Sequence, residues 1–147
     1  MAGQEKTALV VDDTPANRDF LERLLRQAGF VIIGASTAAE ALGQIESVSD
    51  LPLAVVDMQL PDANGLYLTQ EIRKRFPDTY IVVATMHDHR SLMKSVFERG
   101  GNCFLVKPHG FMELFKRLTT KDLTQMRDGD YMVIDMYGPR SFSLAAT

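Results

Sequence analysis

Residues Leu53 to Gly65, LAVVDMQLPDANG, hold the feature that most constrains the fold: a short apolar run that stops on one carboxylate. Leu53, Ala54, Val55 and Val56 show no alternation and are too few for a helix, so they predict a strand buried on both faces. Asp57 then stands at the C-terminal lip of that strand. Pro61, Asp62, Asn64 and Gly65 are turn formers, so the backbone is predicted to leave the sheet at once, with a helix beginning near Leu66. Strands covered on both faces belong to parallel sheets, and open sheets of that kind bind ligands at the carboxyl ends of their strands.

The same pattern recurs along the chain. Thr7 to Val11 is a second apolar run, ending on Asp12 and Asp13. Thr14 and Pro15 then supply a cap and a first-turn proline to a helix carried by Phe20, Leu21, Leu24, Leu25 and Ala28 and stopped by Gly29. Val31 to Ala35 predicts the next strand, and Ser36 or Thr37 caps a helix through Ala41, Leu42 and Ile45. After the Asp57 strand, Leu68, Ile72 and Phe76 mark a helix closed by Pro77. Tyr80 to Ala84 is the fourth strand, ending on Thr85. Ser91 to Glu98 reads as a helix stopped by Gly100 and Gly101, and Cys103 to Val106 as a fifth strand ending on Lys107. Phe111, Leu114, Phe115 and Leu118 mark the fifth helix. Strict alternation with short connections predicts an α/β fold: a parallel sheet with helices on both faces.

Beyond Leu118 the pattern changes. Thr119 to Arg127 is polar with helical continuation through Leu123 and Met126, and Tyr131 to Tyr137 reads as a strand before Gly138 and Pro139. A small hairpin and the opening of a further domain both fit, so the expected organisation is a domain over 1–120 and an extension over 121–147. At 147 residues, with 46% hydrophobic and 24% charged, one packed domain is expected rather than disorder. A net charge of −3 gives no general attraction to nucleic acid. The single cysteine, Cys103, excludes an internal disulfide and is most simply a small buried hydrophobe. The start, MAGQEK, lacks the apolar stretch of a signal peptide and no run is long enough to span a membrane, so a soluble cytoplasmic chain is expected.

Parallel strands bring Asp12, Asp13, Asp57, Thr85 and Lys107 to one sheet edge. Singly each has an ordinary reading: the Asp12–Asp13 pair as a helix cap, Asp57 as a turn former, Thr85 as a strand end, Lys107 as a solvated lysine. Together they crowd three carboxylates, which repel unless a cation joins them. Mg²⁺ favours one or two carboxylates plus waters and a phosphoryl oxygen. Lys107 can act as a point charge on such a group, the Thr85 hydroxyl can donate to it, and Asp57 is placed as a nucleophile.

With these residues the chain resembles the response-regulator receiver domains of two-component signalling. The acidic pair Asp12 and Asp13, Asp57, Thr85 and Lys107-Pro108 match that family's pattern in type and order, and Phe104 matches its aromatic switch position, across roughly Lys6 to Leu118. The resemblance implies a flavodoxin-like (βα)₅ three-layer sandwich with five parallel strands in the order 2-1-3-4-5. It implies that Asp57 takes phosphate from the phosphohistidine of a sensor histidine kinase or phosphotransfer protein, with Lys107 and Thr85 assisting. It implies Mg²⁺ (or Mn²⁺) held by Asp13 and Asp57 directly, by Asp12 through water and by the Gln59 backbone carbonyl. Thr85 and Phe104 would switch the face built from the fourth helix, fifth strand and fifth helix, which a downstream protein or output domain reads. On this reading the chain is a phosphoacceptor and not a turnover enzyme.

Departures from the pattern qualify this. Met86 stands where alanine or glycine is usual and narrows access for small donors, while Gln59 and His87 flank the pocket and tune hydrolysis of the acyl phosphate. His87 and His89 bracket Asp88 at a helix start and read as polar residues rather than as a second metal site. A phosphoaspartate-forming phosphatase is the alternative from the enzyme class, but Gln59 stands where such enzymes carry a second aspartate. The tail GDYMVIDMYGPRSFSL loosely resembles the first strands of a winged-helix domain, so a receiver fragment of a DNA-binding regulator is the other alternative. Without a recognition helix, direct nucleic-acid binding by this chain is not expected. A phosphorylation-dependent homodimer is allowed, though Asn102 and Cys103 stand where two acids are common.

Overall fold

The apolar runs form strands because each is covered on both faces. The computed structural model describes residues 6–87 and 89–144. It contains β1 (Lys6–Val11), α1 (Pro15–Gln27), β2 (Phe30–Ala35), α2 (Ala38–Ile45), β3 (Leu53–Asp57), α3 (Gly65–Arg75), β4 (Tyr80–Thr85), α4 (Arg90–Glu98), β5 (Cys103–Val106) and α5 (Gly110–Thr120). α6 (Leu123–Asp128), β6 (Tyr131–Asp135) and β7 (Gly138–Phe142) follow. One sheet holds all the strands in the order β2-β1-β3-β4-β5-β6-β7. It is parallel from β2 to β6, and β7 closes it antiparallel.

Successive strand residues face opposite layers, as the pleat requires. Leu9, Val11, Ala54 and Val56 pack with residues of α2, α3 and α4, whereas Ala8, Val10, Leu53 and Val55 pack with residues of α1 and α5. This is the flavodoxin-like arrangement expected, with the predicted order 2-1-3-4-5 kept inside a longer sheet. The strand count differs: seven strands in place of five. An unpaired β5 edge would leave backbone groups and the apolar run YMVID without partners. Asp122 begins α6 with a capping box, and α6 returns the chain so that Cys103, Phe104 and Leu105 pair with Met132, Val133 and Ile134. The tail is thus a hairpin added to the same sheet.

Thr37 caps α2, its side chain accepting from the Glu40 amide at 3.0 Å. A second cap comes from a distance: the Asp62 carboxylate, in the turn after β3, accepts from the amides of Ala38 and Ala39, both at 2.9 Å. Those two amide bonds hold its carboxyl below the usual carboxylate range. The expected reading of the first residues lies partly outside the described part of the chain. No helix among the described residues is long and apolar enough to cross a membrane.

Candidate functional site

The lip after β3 is built by close backbone packing. The Gly65 amide donates to the Met58 carbonyl at 2.6 Å, and a Cβ on Gly65 would stand 2.6 Å from the Asp57 carbonyl oxygen. Only glycine lets α3 start this close to Asp57. The Met58 amide donates to the Ala84 carbonyl at 2.9 Å, which ties the same turn to β4.

Asp12, Asp13 and Asp57 each offer a carboxylate oxygen within 4.8 Å of the others, the one such group of potential metal ligands among the described residues. Lys107 reaches in from the end of β5, its Nζ 3.3 Å from Asp57 Oδ1 and 3.4 Å from Asp12 Oδ2. The Lys107 and Asp12 side chains are 5% exposed and Asp57 9%, so water screens these charges poorly. Asp12 is fixed by the Thr14 amide, which donates to Oδ1 at 2.8 Å, and by Arg18, whose guanidinium donates to its backbone carbonyl at 2.8 Å. Thr14, expected as a side-chain cap, makes no such bond. It serves α1 by turning its amide onto Asp12.

Burial pushes the Asp57 carboxyl above its ordinary value; Lys107 pulls it down and Asp12 pushes it further up. Among the described residues three carboxylates face one ammonium, two of them buried with it and Asp13 in solvent, an excess of negative charge that a divalent cation relieves. The three oxygens lie close enough together for a single cation to contact all of them. Asp57 Oδ1 takes Lys107 and, more weakly at 3.4 Å, the Gln59 amide. Its other oxygen has no donor among the described residues.

The cleft over Asp57 has a volume of about 380 Å³ and is also lined by Asp13, Gln59, Thr85, Met86, His87 and Lys107. The expected acceptor, its assisting residues and the three flanking residues therefore share one cavity wall. Met86 is 63% exposed, so it sits at the rim rather than plugging the cleft. Thr85 is buried, and its hydroxyl accepts from the His87 amide at 3.1 Å. Asn17 also lines the cleft and was missed by sequence reading; its signal is its place four residues after Asp13, in the first turn of α1.

Phe104 does not reach the cleft. It is fully buried between Val83 of β4 and Val133 of β6, on the layer that holds α4. His87 and His89 stack with ring centroids 6.1 Å apart, and Asp88 lies outside the described residues. Cys103 is fully buried, its thiol pushed up to about 12 by burial. Asn102 has a structural duty: its side-chain oxygen accepts from the Ile81 amide at 2.8 Å and from Arg73 at 2.7 Å, knitting β4, β5 and α3. A larger cavity of about 660 Å³ lies at the opposite sheet edge, lined by Arg73, Asn102, Arg127 and Tyr131 among others, and holds no carboxylate cluster.

Against known proteins, residues 8–119 match the family described as the response regulator receiver domain. The transcriptional regulatory protein GltR of Pseudomonas aeruginosa is 30% identical over 141 residues, covering 92% of this chain and 58% of GltR. A cyclic di-GMP phosphodiesterase of Thermotoga maritima is 29% identical over 102 residues, covering 69% of this chain and 27% of that protein. The chain thus spans less than two thirds of each of these relatives. Among solved structures, a CheY-like response regulator receiver domain protein from Methanospirillum hungatei JF-1 is 27% identical with a TM-score of 0.74, covering 84% of this chain and 97% of that one.

Proposed function

The chain belongs to the response regulator receiver domain family, and from that premise we propose that Asp57 is its phosphoacceptor, fed by the phosphohistidine of a sensor histidine kinase or phosphotransfer protein. The observation that carries this reading is the Asp12, Asp13 and Asp57 cluster with Lys107 held between two of its members. Receiver domains of this family accept a phosphoryl group and switch an output.

In the proposed transfer the free Asp57 oxygen attacks phosphorus in line with the donor nitrogen. The O–P bond forms as the P–N bond breaks, and the donor imidazole keeps the electron pair and takes up a proton. Lys107, already 3.3 Å from Asp57, stabilises charge gathering on the phosphoryl oxygens, and the Thr85 hydroxyl donates to another of them. Asp13, Asp57 and the Gln59 carbonyl would hold Mg²⁺ (or Mn²⁺) directly and Asp12 through water. Bound there, the cation supplies charge neutralisation for both the carboxylates and the phosphoryl group. Gln59, Met86 and His87 set access for small donors and water. Thr85 and Phe104 serve as the switch, acting on the face of α4, β5 and α5.

On this reading the chain is no turnover enzyme, since Gln59 offers no acid–base group beside Asp57. Residues 1–120 form the receiver, 121–147 its extension, and the protein works in the cytoplasm. One observation favours a second reading, as the receiver part of a longer transcriptional regulator. The GltR alignment covers 141 residues and so runs beyond the 8–119 matched by the family. In that case DNA contacts come from segments outside this chain.

Intact mass after incubation with acetyl phosphate and Mg²⁺ tests the first reading. An added mass of about 80 Da is expected, absent when EDTA removes the metal. No adduct from acetyl phosphate and none from a phosphohistidine-bearing donor protein would overturn it.

A further inference from the structure

The layer that carries α4 is already occupied by the chain itself. Phe97 of α4 lies between two rings of the hairpin: Tyr131 stacks on it with centroids 4.7 Å apart and planes 16° apart, and Phe142 tilts against it at 4.9 Å. The Arg90 guanidinium, on the first residue of α4, lies 4.7 Å over the Phe142 ring. Phe142 is only 7% exposed. α4 therefore grips the outermost strand of the sheet at both its first turn and its last.

A path of contacts joins this grip to the acceptor cleft. Thr85 lines the cleft with Asp57, its hydroxyl accepts from the His87 amide at 3.1 Å, the His87 ring stacks on that of His89, and His89 directly precedes Arg90. A phosphoryl group on Asp57 adds three acceptor oxygens beside β4. Among the described residues, the donors at that strand's end include the Thr85 hydroxyl and the His87 amide. Recruiting either toward Asp57 draws that connection toward β3. In the order β3-β4-β5-β6-β7 this direction leads away from β7.

Resting on Asp57 being the phosphoacceptor, we propose that the β6–β7 hairpin is the intramolecular occupant of the α4 face and that phosphorylation loosens it. The Arg90 and Phe97 contacts to Phe142 weaken, and β7 becomes the element whose release a downstream partner senses. Phe104 is shut between β4 and β6, so the hairpin covers the β5 side of the α4, β5 and α5 face and is the part of that face which a change at Thr85 and Phe104 releases.

Hydrogen exchange read by mass spectrometry on the full chain, with and without acetyl phosphate and Mg²⁺, tests this, the adduct being counted by intact mass in the same samples. Peptides covering Gly138–Phe142 should exchange faster once the adduct forms, by about three- to tenfold, the factor an aromatic contact of this kind contributes. Peptides of β1 should not change. Phe142→Leu keeps an apolar side chain but removes the ring contacts. It should form the adduct normally and show fast β7 exchange before any phosphate is added. Adduct formation with unchanged or slower β7 exchange would overturn the hairpin role and leave the phosphoacceptor standing. Phe142→Leu with wild-type protection and a wild-type response would do the same. Absence of the adduct from acetyl phosphate and from a phosphohistidine-bearing donor protein alike would overturn both.

Discussion

Asp57 and Asp135 occupy equivalent places in the topology, each the last residue of a parallel strand, yet they live in opposite electrostatic surroundings. Asp57 shares one ammonium with Asp12, and burial leaves its carboxyl above the ordinary value. Burial also pushes Asp135 up, but Arg140 at 2.7 Å and the Tyr137 amide at 3.0 Å outweigh it and hold the carboxyl below the usual range. A strand-end carboxylate with its own guanidinium is a finished structural contact. One that must share its counter-charge with like neighbours is ready for a ligand. Position at the lip makes a carboxylate available, and its partners decide whether it is used.

Substitution at Lys107 should break this contrast most severely. Lys107→Ala removes the one ammonium that faces both Asp12 and Asp57, and the rate of adduct formation from acetyl phosphate should fall by about 10²-fold or more. Arg140→Ala, which strips Asp135 of its cation, should leave that rate unchanged.

Metal sharpens the same contrast through stability. Mg²⁺ at about 100 times its dissociation constant should stabilise the fold by about 2.7 kcal/mol, seen as a rise in unfolding midpoint. Asp135→Asn should keep that response and Asp57→Asn should lose most of it.

Without metal the two carboxylates should act on stability in opposite directions. Asp57→Asn relieves a like-charge contact in a poorly hydrated place and should raise unfolding free energy by about 1 kcal/mol in neutral EDTA buffer. Asp135→Asn weakens a charge-assisted pair and should lower it by about 1 kcal/mol, a modest figure because Arg140 is nearly half exposed. The pH dependences should differ in sign. The Asp135 contribution is present above about pH 4, the ordinary carboxylate value, and is lost as pH falls through its depressed one. Asp57 binds its proton more tightly when folded, so in metal-free buffer its contribution is favourable below pH 4 and lost as pH rises through its raised value. Denaturant titrations of both variants from pH 3 to 7 measure this.

Met86→Ala should have the smallest effect. The side chain stands at the rim and is mostly in solvent, so its removal should speed acetyl phosphate labelling by only about twofold, a fraction of a kcal/mol in barrier. Equal rates would show that Met86 does not limit access.

The parallel sheet and the cluster at its lip were legible in the chain because each depends on local pattern: a short apolar run, a carboxylate, then turn chemistry; the central order came only from the family resemblance. The extension of the sheet was not. YMVID could be recognised as a strand, but whether it joined β5 or began another unit depends on the β5 edge and on how α6 returns the chain. Asp62 looked like a turn residue because its duty, capping α2, lies 24 residues back from it. Asn102 looked like a departure from an acidic pattern, and its bonds to Ile81 and Arg73 become visible only once β4, β5 and α3 are together. Phe104 was identified by its place before Lys107, yet its closed surroundings come from β6.

The most direct test of the account is to locate the phosphoryl group. The protein is labelled with acetyl phosphate and Mg²⁺, reduced with borohydride to convert the acyl phosphate to homoserine, and mapped by peptide mass spectrometry. The account predicts homoserine at residue 57 alone, with Asp12, Asp13 and Asp135 unmodified. Conversion at Asp135, or at several carboxylates without preference, would contradict the claim that shared counter-charge at the β1 and β3 lip selects the acceptor.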